Sequence, residues 1–291
     1  ATVFSDLDYA LVYHVFGDEH AFKNFIRKYN PSFISVSLQK SLFGKIVFGH
    51  KEFVPIFFDH AELLYVNMNH HRELADKYAL KAIDPFQLRN ISYNKENPQR
   101  LSELFEEASR IISLDPLNYG ANKILCNVLI ARREQAKALP YADKLIEQFP
   151  DNYDGYLLKA DALFGMGRYA DAERLYAQVM DLGQTDRDEV VPRNLHSTYI
   201  KLKKYEKAYK LRTRVVNPFG STAAYRDIYE LGMSAAYVDK ISEAVTFLKI
   251  ARMKAPDTDK EYIDKIDKNL AKLIESQKIQ KNLLMPGGDS P

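Results

Sequence analysis

Tyr153-Asp154-Gly155-Tyr156-Leu157-Leu158-Lys159-Ala160-Asp161-Ala162-Leu163-Phe164-Gly165-Met166-Gly167-Arg168-Tyr169-Ala170-Asp171-Ala172-Glu173-Arg174-Leu175-Tyr176 is the stretch whose reading decides the fold. A bulky Tyr156 is followed one helical turn later by the small Ala160. Gly167 and Tyr169 then mark a turn, after which the small Ala172 precedes the bulky Tyr176 by four residues. Residues four apart share one face of a helix. Small side chains on facing helices let two antiparallel backbones approach closely, and large ones fill the adjoining holes. The segment therefore reads as two helices packed against each other across a Gly-x-Tyr turn.

Working outward, the small residue of the second helix recurs at Ala138, Ala172, Ala208 and Ala244, separated by 34, 36 and 36 residues. Prolines that stop helices recur in step: Pro116, Pro150 and Pro256, with Pro218 slightly displaced. The last unit carries Leu231 and Gly232 in its first helix, then Ala244, Leu248, Ala251 and Pro256. Units starting near Asn118 and Glu189 are looser. Cys126 holds the small-residue place in one, as an apolar filler, and His196 holds it in the other, as a core or turn residue. Pro98–Asp115 reads as a single second-type helix with no first helix before it. Asp259–Lys278 carries Tyr262, Ile266, Leu270, Leu273 and Ile274 at helical spacing, as a capping helix would.

This pattern resembles the tetratricopeptide repeat (TPR) family, whose period is ~34 residues. The resemblance implies a mainly α fold, a TPR-type α-solenoid coiled as a right-handed superhelix over residues 98–278, with four full helix pairs. It also implies a concave groove, lined by first-helix (helix-A) side chains, that holds a protein or peptide. Helical spacing places Lys123, Asn127, Asp161, Phe164, Arg193, Ser197, Lys201, Arg226, Tyr229 and Tyr237 in that groove. The mixture of cations and aromatics suits an extended peptide or an acidic tail. Lys123 and Asn127 are similar to part of the carboxylate clamp of some TPR proteins. Leu157 and Leu158 stand where polar clamp residues would follow, which argues against a complete clamp.

Residues 1–85 lack the helix-pair pattern and read as a small α/β domain, joined by a linker over 86–97. Tyr9–Val15, Phe33–Ser37, Phe53–Phe58 and Leu63–Val66 are rich in β-formers. Glu19–Tyr29 has an apolar face and Asp18 as its N-cap; Gln39–Phe48 and Arg72–Tyr78 are further helices. Asp59-His60-Ala61-Glu62 reads as a hairpin turn. Phe25–Val36 and Phe53–Val66 together resemble the soluble segment that follows the last membrane helix in bacterial polytopic proteins related to lipid-linked-sugar glycosyltransferases. That resemblance implies an extracytoplasmic, periplasmic location on a bacterial membrane, with any transferase chemistry in a membrane part outside this chain. A cytoplasmic location is the alternative.

The 291 residues carry 41 basic and 39 acidic side chains, a net charge of +2, so no overall electrostatics favour a nucleic-acid partner. One cysteine, Cys126, excludes an intrachain disulfide and a Cys-rich zinc site. No apolar run reaches the roughly 20 residues that span a bilayer, so membrane attachment would need a segment absent from the chain. The chain opens at Ala1 without a signal-peptide pattern or an initiator Met, as a processed or excised protein does. No Gly-rich phosphate loop and no Gly-x-Ser-x-Gly elbow occurs, and neither a cofactor nor a metal is implied. Six of seven histidines fall in the first 71 residues. An enzyme site in the α/β head, near His14, His20 and His60, is therefore the second reading. Glycan contact through the nineteen tyrosines is a third. The Met285–Pro291 end of the expected disordered tail, 279–291, is turn-rich.

Overall fold

The computed structural model describes residues 14–39, 41–182 and 190–284. They fall into two compact units, Ala1–Met166 and Gly167–Pro291.

The first unit begins with α1 (Glu19–Tyr29), whose N-cap Asp18 accepts a hydrogen bond from the Ala21 N–H at 2.7 Å. It stops where Asn30 takes the left-handed conformation, and it buries Phe22. β1 (Phe33–Ser37), α2 (Ser41–Phe48), β2 (Phe53–Phe58), β3 (Glu62–Asn67) and α3 (Arg72–Tyr78) follow. The strands form one antiparallel sheet in the order β1-β3-β2, which leaves β2 at an edge. Pro55, which cannot donate to a ladder, sits on that edge next to a register shift. The β2–β3 turn is held by Asp59, whose carboxylate accepts the N–H groups of Ala61 and Glu62 at 2.7 Å each. The strand expected over Tyr9–Val15 lies largely outside the described residues, and its last two, His14 and Val15, are helical.

Head and repeats share a core. Phe22, Phe43, Phe58, Leu63 and Tyr65 belong to the same buried cluster as Leu101, Leu104, Ala108 and Ile111 of α4 (Pro98–Leu114) and Ile124 and Leu125 of α5 (Tyr119–Ala131). The expected linker over 86–97 is not a free connection. Pro85–Asn90 is a 3-10 helix, and Phe86, Leu88, Ile91 and Tyr93 pack on that cluster.

One face of α4 fastens the preceding chain by polar contacts. The buried Glu107 carboxylate accepts the N–H groups of Lys81, Ala82 and Ile83 at 2.8–3.0 Å. Arg110 donates to the carbonyls of Lys77, Tyr78 and Ala79 at the end of α3, and Arg100 donates to the carbonyl of Ala82 at 2.5 Å.

The helix pair α5/α6 (α6, Gln135–Gln148) and the first-type helix α7 (Tyr153–Gly165) complete the first unit. The second unit holds α8 (Tyr169–Asp181), the pairs α9/α10 (Val190–Lys201, Tyr205–Val215) and α11/α12 (Tyr225–Tyr237, Ile241–Lys254), and the cap α13 (Lys260–Leu284). The protein is thus a mainly helical repeat array preceded by a small three-stranded antiparallel sheet with helices. The cap runs on through Leu284, so residues 279–284, expected in a disordered tail, are helical; 285–291 lie outside the described residues.

Ala138, Ala172, Ala208 and Ala244 are fully buried, as close helix approach demands. Cys126, also fully buried, places its Sγ 3.6 Å from the Ala138 carbonyl, where the two helices of that pair meet. Burial pushes its thiol pKa up to about 12, which leaves it inert as a nucleophile.

A second periodic feature escaped the sequence reading. The residues with positive φ between paired helices are Arg133, Gly167, Lys203 and Asp239, in the same 34, 36, 36 steps. Only one of these left-handed positions is a glycine. Two outcomes follow. Replacing Gly167 (φ 78°) by alanine should cost about 1 kcal/mol in chemical denaturation, and no measurable loss would contradict the turn geometry. Glu107→Ala, which orphans three buried or half-buried N–H groups, should cost about 3 kcal/mol and speed amide exchange at 81–83. A loss below ~1 kcal/mol would show that the carboxylate does not hold the segment.

Candidate functional site

In the first unit the expected groove residues stand on α5 and α7. Lys123 Nζ lies 2.5 Å from the Asp154 carboxylate. The hydroxyl of Tyr119 donates to the same oxygen and receives a bond from Asn152 Nδ2 at 3.1 Å. Burial first, and then the hydrogen bond to Asp154, push the Tyr119 pKa far up, so it stays a donor. Asn127 Nδ2 donates to the Lys123 carbonyl one turn back, at 2.9 Å. Asp161 and Phe164, half-buried, follow on α7. The lysine that would begin a carboxylate clamp is therefore already matched by an acid of the chain itself.

In the second unit the same arrangement recurs. Arg193 of α9 meets Asp227 of α11 at 3.2 Å. Arg226 meets Asp259 at 2.8 Å, and the hydroxyl of Tyr225 donates to that carboxylate too. On the second-type helices Lys207 approaches Glu173 at 3.3 Å and Lys204 approaches it at 2.5 Å. The hydroxyl of Tyr209 donates to Glu243. Partners in all these pairs are 31 to 35 positions apart, which is one repeat. A cation or tyrosine on one helix thus faces an acid on the equivalent helix of the neighbouring pair.

Ser197 donates to the Arg193 carbonyl within its own helix at 3.0 Å. Lys201 and Tyr237, the last residues of α9 and α11 and one repeat apart, are exposed. Tyr237 stacks on Tyr205 with ring centres 4.8 Å apart and planes 17° from parallel. Tyr229 must be corrected. It was expected in the groove but is only 5% exposed, because the capping helix covers it: Asn269 of α13 donates to its hydroxyl at 2.9 Å. The sequence pattern could not show that α13 lies over that face.

Beneath this surface lies a buried polar cluster. Arg212 is 2% exposed; it is 3.3 Å from Asp227 and in contact with the Glu230 carboxylate. Two guanidinium groups, Arg193 and Arg212, are balanced by two carboxylates, Asp227 and Glu230. His196 sits against them, its Nε2 2.7 Å from Ser234 Oγ and its Nδ1 3.6 Å from Glu230. Burial, reinforced by the Arg212 charge, lowers the His196 pKa to about 4, so the ring is neutral at pH 7. Glu230 is engaged by Arg212 and does not retain a proton on the ring. No group of three or more His, Cys, Asp or Glu among the described residues is placed to hold a metal ion. No described helix is long and apolar enough to cross a membrane.

Helix pairs closed over buried alanines and tied across one period are the geometry of a known repeat. Residues 129–191 match the tetratricopeptide repeat family. No curated protein matches the chain in sequence. Among solved structures, the array is similar to MamA at 16% identity, covering 55% of this chain and 91% of that one with a TM-score of 0.47. A similar likeness, 17% identity over 52% of this chain and 76% of the other, TM-score 0.46, links it to YrrB, described as a TPR protein with an unusual peptide-binding site. A tetratricopeptide repeat protein from Parabacteroides merdae is similar over 92% of this chain and 95% of its own, at 14% identity and a TM-score of 0.46. Tetratricopeptide repeats are scaffolds for binding proteins and peptides.

The buried histidine gives this unit a pH signature. Between pH 6.5 and 4 the unfolded chain takes a proton on His196 that the folded chain refuses, so stability falls as pH drops through that window. Denaturant titrations at pH 7 and pH 4.5 should show a smaller acid loss for His196→Gln than for the native protein. Equal losses would mean that this ring is not the sensor.

Proposed function

We propose that the chain is a non-catalytic interaction protein whose tetratricopeptide repeats hold an extended segment of a partner protein along their first-type helices. The observation that carries this reading is the pair of exposed helix-end residues Lys201 and Tyr237, repeated at one period, with Tyr205 stacked beside the second. An exposed cation and, one period on, a stacked tyrosine pair suit a peptide with acidic and aromatic or proline residues. Lys123, Arg193 and Arg226 have a different part. Each already neutralises an acid of the next repeat, so each contributes to holding the helices in register and only secondarily to contact with a ligand.

A placement on the outer face of a bacterial membrane has one support, the sequence resemblance of residues 25–66 to the soluble segment of envelope glycosyltransferase-like proteins. That resemblance would make the repeats the docking arm of an envelope assembly.

The test uses the full chain as bait in extracts, followed by affinity measurement on whichever protein it retains. Lys201→Glu combined with Tyr237→Ala should weaken that affinity by about tenfold or more, at a stability cost no larger than the ~1 kcal/mol of the lost Tyr205 stack. Arg193→Glu should instead lower stability, because it places a third carboxylate beside Asp227 and Glu230. Full affinity in the Lys201/Tyr237 variant would remove this surface from the function.

A further inference from the structure

The head contains a cavity that the repeats do not use. It has a volume of about 430 Å³ and lies between the sheet, α2 and the segment 80–87. Pro55, Leu63 and Tyr65 of β2 and β3 form its floor, and Gly44, Lys45 and Phe48 of α2 form one wall. Leu80 to Gln87 form the other wall, with Arg100 of α4 at one end. That volume is within the ~300–1,000 Å³ of ordinary small-molecule sites, whereas a relaxed core of this size would close most of it.

It stays open because its outer wall is fastened from behind. The N–H groups of Lys81, Ala82 and Ile83 are all taken by Glu107, and Ala82 offers its carbonyl to Arg100. Leu80 donates to the Pro55 carbonyl at 2.8 Å, and Asp84 accepts the N–H of Phe86 at 2.9 Å. The wall can neither collapse onto the sheet nor swing away without breaking these bonds.

The chemistry of the lining defines what fits. Leu63, Tyr65, Ala82 and Ile83 are fully buried and back the cavity, while Phe48, 72% exposed, and the half-buried Pro55 and Phe86 supply the apolar surface a ligand would touch. Three cations, Lys45, Lys81 and Arg100, line it against one acid, Asp84; Arg100 is already bonded to the Ala82 carbonyl and paired with Glu103 at 3.8 Å, which leaves two lysines to outweigh a single carboxylate. An apolar body with an anionic head satisfies both features. A peptide fits less well, since the N–H groups of Lys81, Ala82, Ile83, Phe86 and Gln87 are all bonded within the chain and offer no ladder.

We propose that this cavity binds a small apolar carboxylic acid, of the medium-chain fatty acid class, with its chain on Phe48, Pro55 and Phe86 and its carboxylate toward Lys45 and Lys81. The probe is decanoate, titrated calorimetrically into the full chain at low salt, with 1-decanol as the uncharged control. Decanoate should bind at one saturable site and decanol more weakly. The double variant Lys45→Glu/Lys81→Glu keeps every main-chain bond of the wall and should fold normally. It should lose about tenfold or more in decanoate affinity and no longer prefer the acid to the alcohol. A second variant, Gly44→Ala, fills space from the other side. Its added methyl would sit 2.2 Å from the Phe86 ring and force that lining ring to move, so decanoate binding should fall although no charge has changed. Absence of saturable binding in the native chain would overturn the proposal. So would equal decanoate affinity in the charge-reversed variant, which would mark the uptake as non-specific.

Discussion

Ala138, Ala172, Ala208 and Ala244, one on each second-type helix, have no exposed surface, and a side chain no larger than a methyl group lets a neighbouring backbone come close. Within each unit, such close packing brings side chains one repeat apart within reach of a hydrogen bond. A wider crossing would leave Lys123 short of Asp154 and Tyr225 short of Asp259. Exposed ion pairs contribute little singly, about 0–1 kcal/mol. Here their value is geometric: a cation that can meet its acid only when neighbouring pairs are in register penalises slippage between repeats.

The head obeys a different constraint. A three-stranded sheet of short strands has too little surface to build a stable core alone. It therefore shares one with α4 and α5, and the junction is set by α4, which points Arg100, Glu107 and Arg110 at the segment 77–83. A buried carboxylate answering three N–H groups is far stronger when complete than when one partner is missing, so the junction is held as a unit. The cavity beside it persists for the same reason.

The array was legible because the requirement that shapes it, small residues at a fixed period, is written directly in residue identity. So were the head's elements, where Asp18 caps α1 and Asp59 shapes the β2–β3 turn. Three things were not legible for a physical reason. The left-handed turns at Arg133, Lys203 and Asp239 carry no glycine, so nothing local announces them. The burial of Tyr229 depends on a helix that begins some thirty residues later and folds back over it. The cations expected to face a ligand looked available only because their acids lie a full period away. Counting forward one repeat from each lysine or arginine would have found Asp154, Asp227 and Asp259.

That pairing changes how a partner must be recognised. An acidic peptide approaching Arg226 does not meet a bare charge; it competes with Asp259, and any gain is the difference between two similar contacts. Asp227 and Glu230 are held more firmly still, because Arg212 behind them is 2% exposed and would be left buried and unmatched if they turned away. Electrostatic attraction on these faces is therefore largely satisfied within the chain. For the partner proposed above, affinity would come from what the ladder leaves over, the stacked tyrosine faces and the lysine at the helix end, and from how well a partner's backbone follows the spacing of the repeats. On the proposed reading such a surface would discriminate by shape and spacing as well as by charge, with salt acting mainly through Lys201.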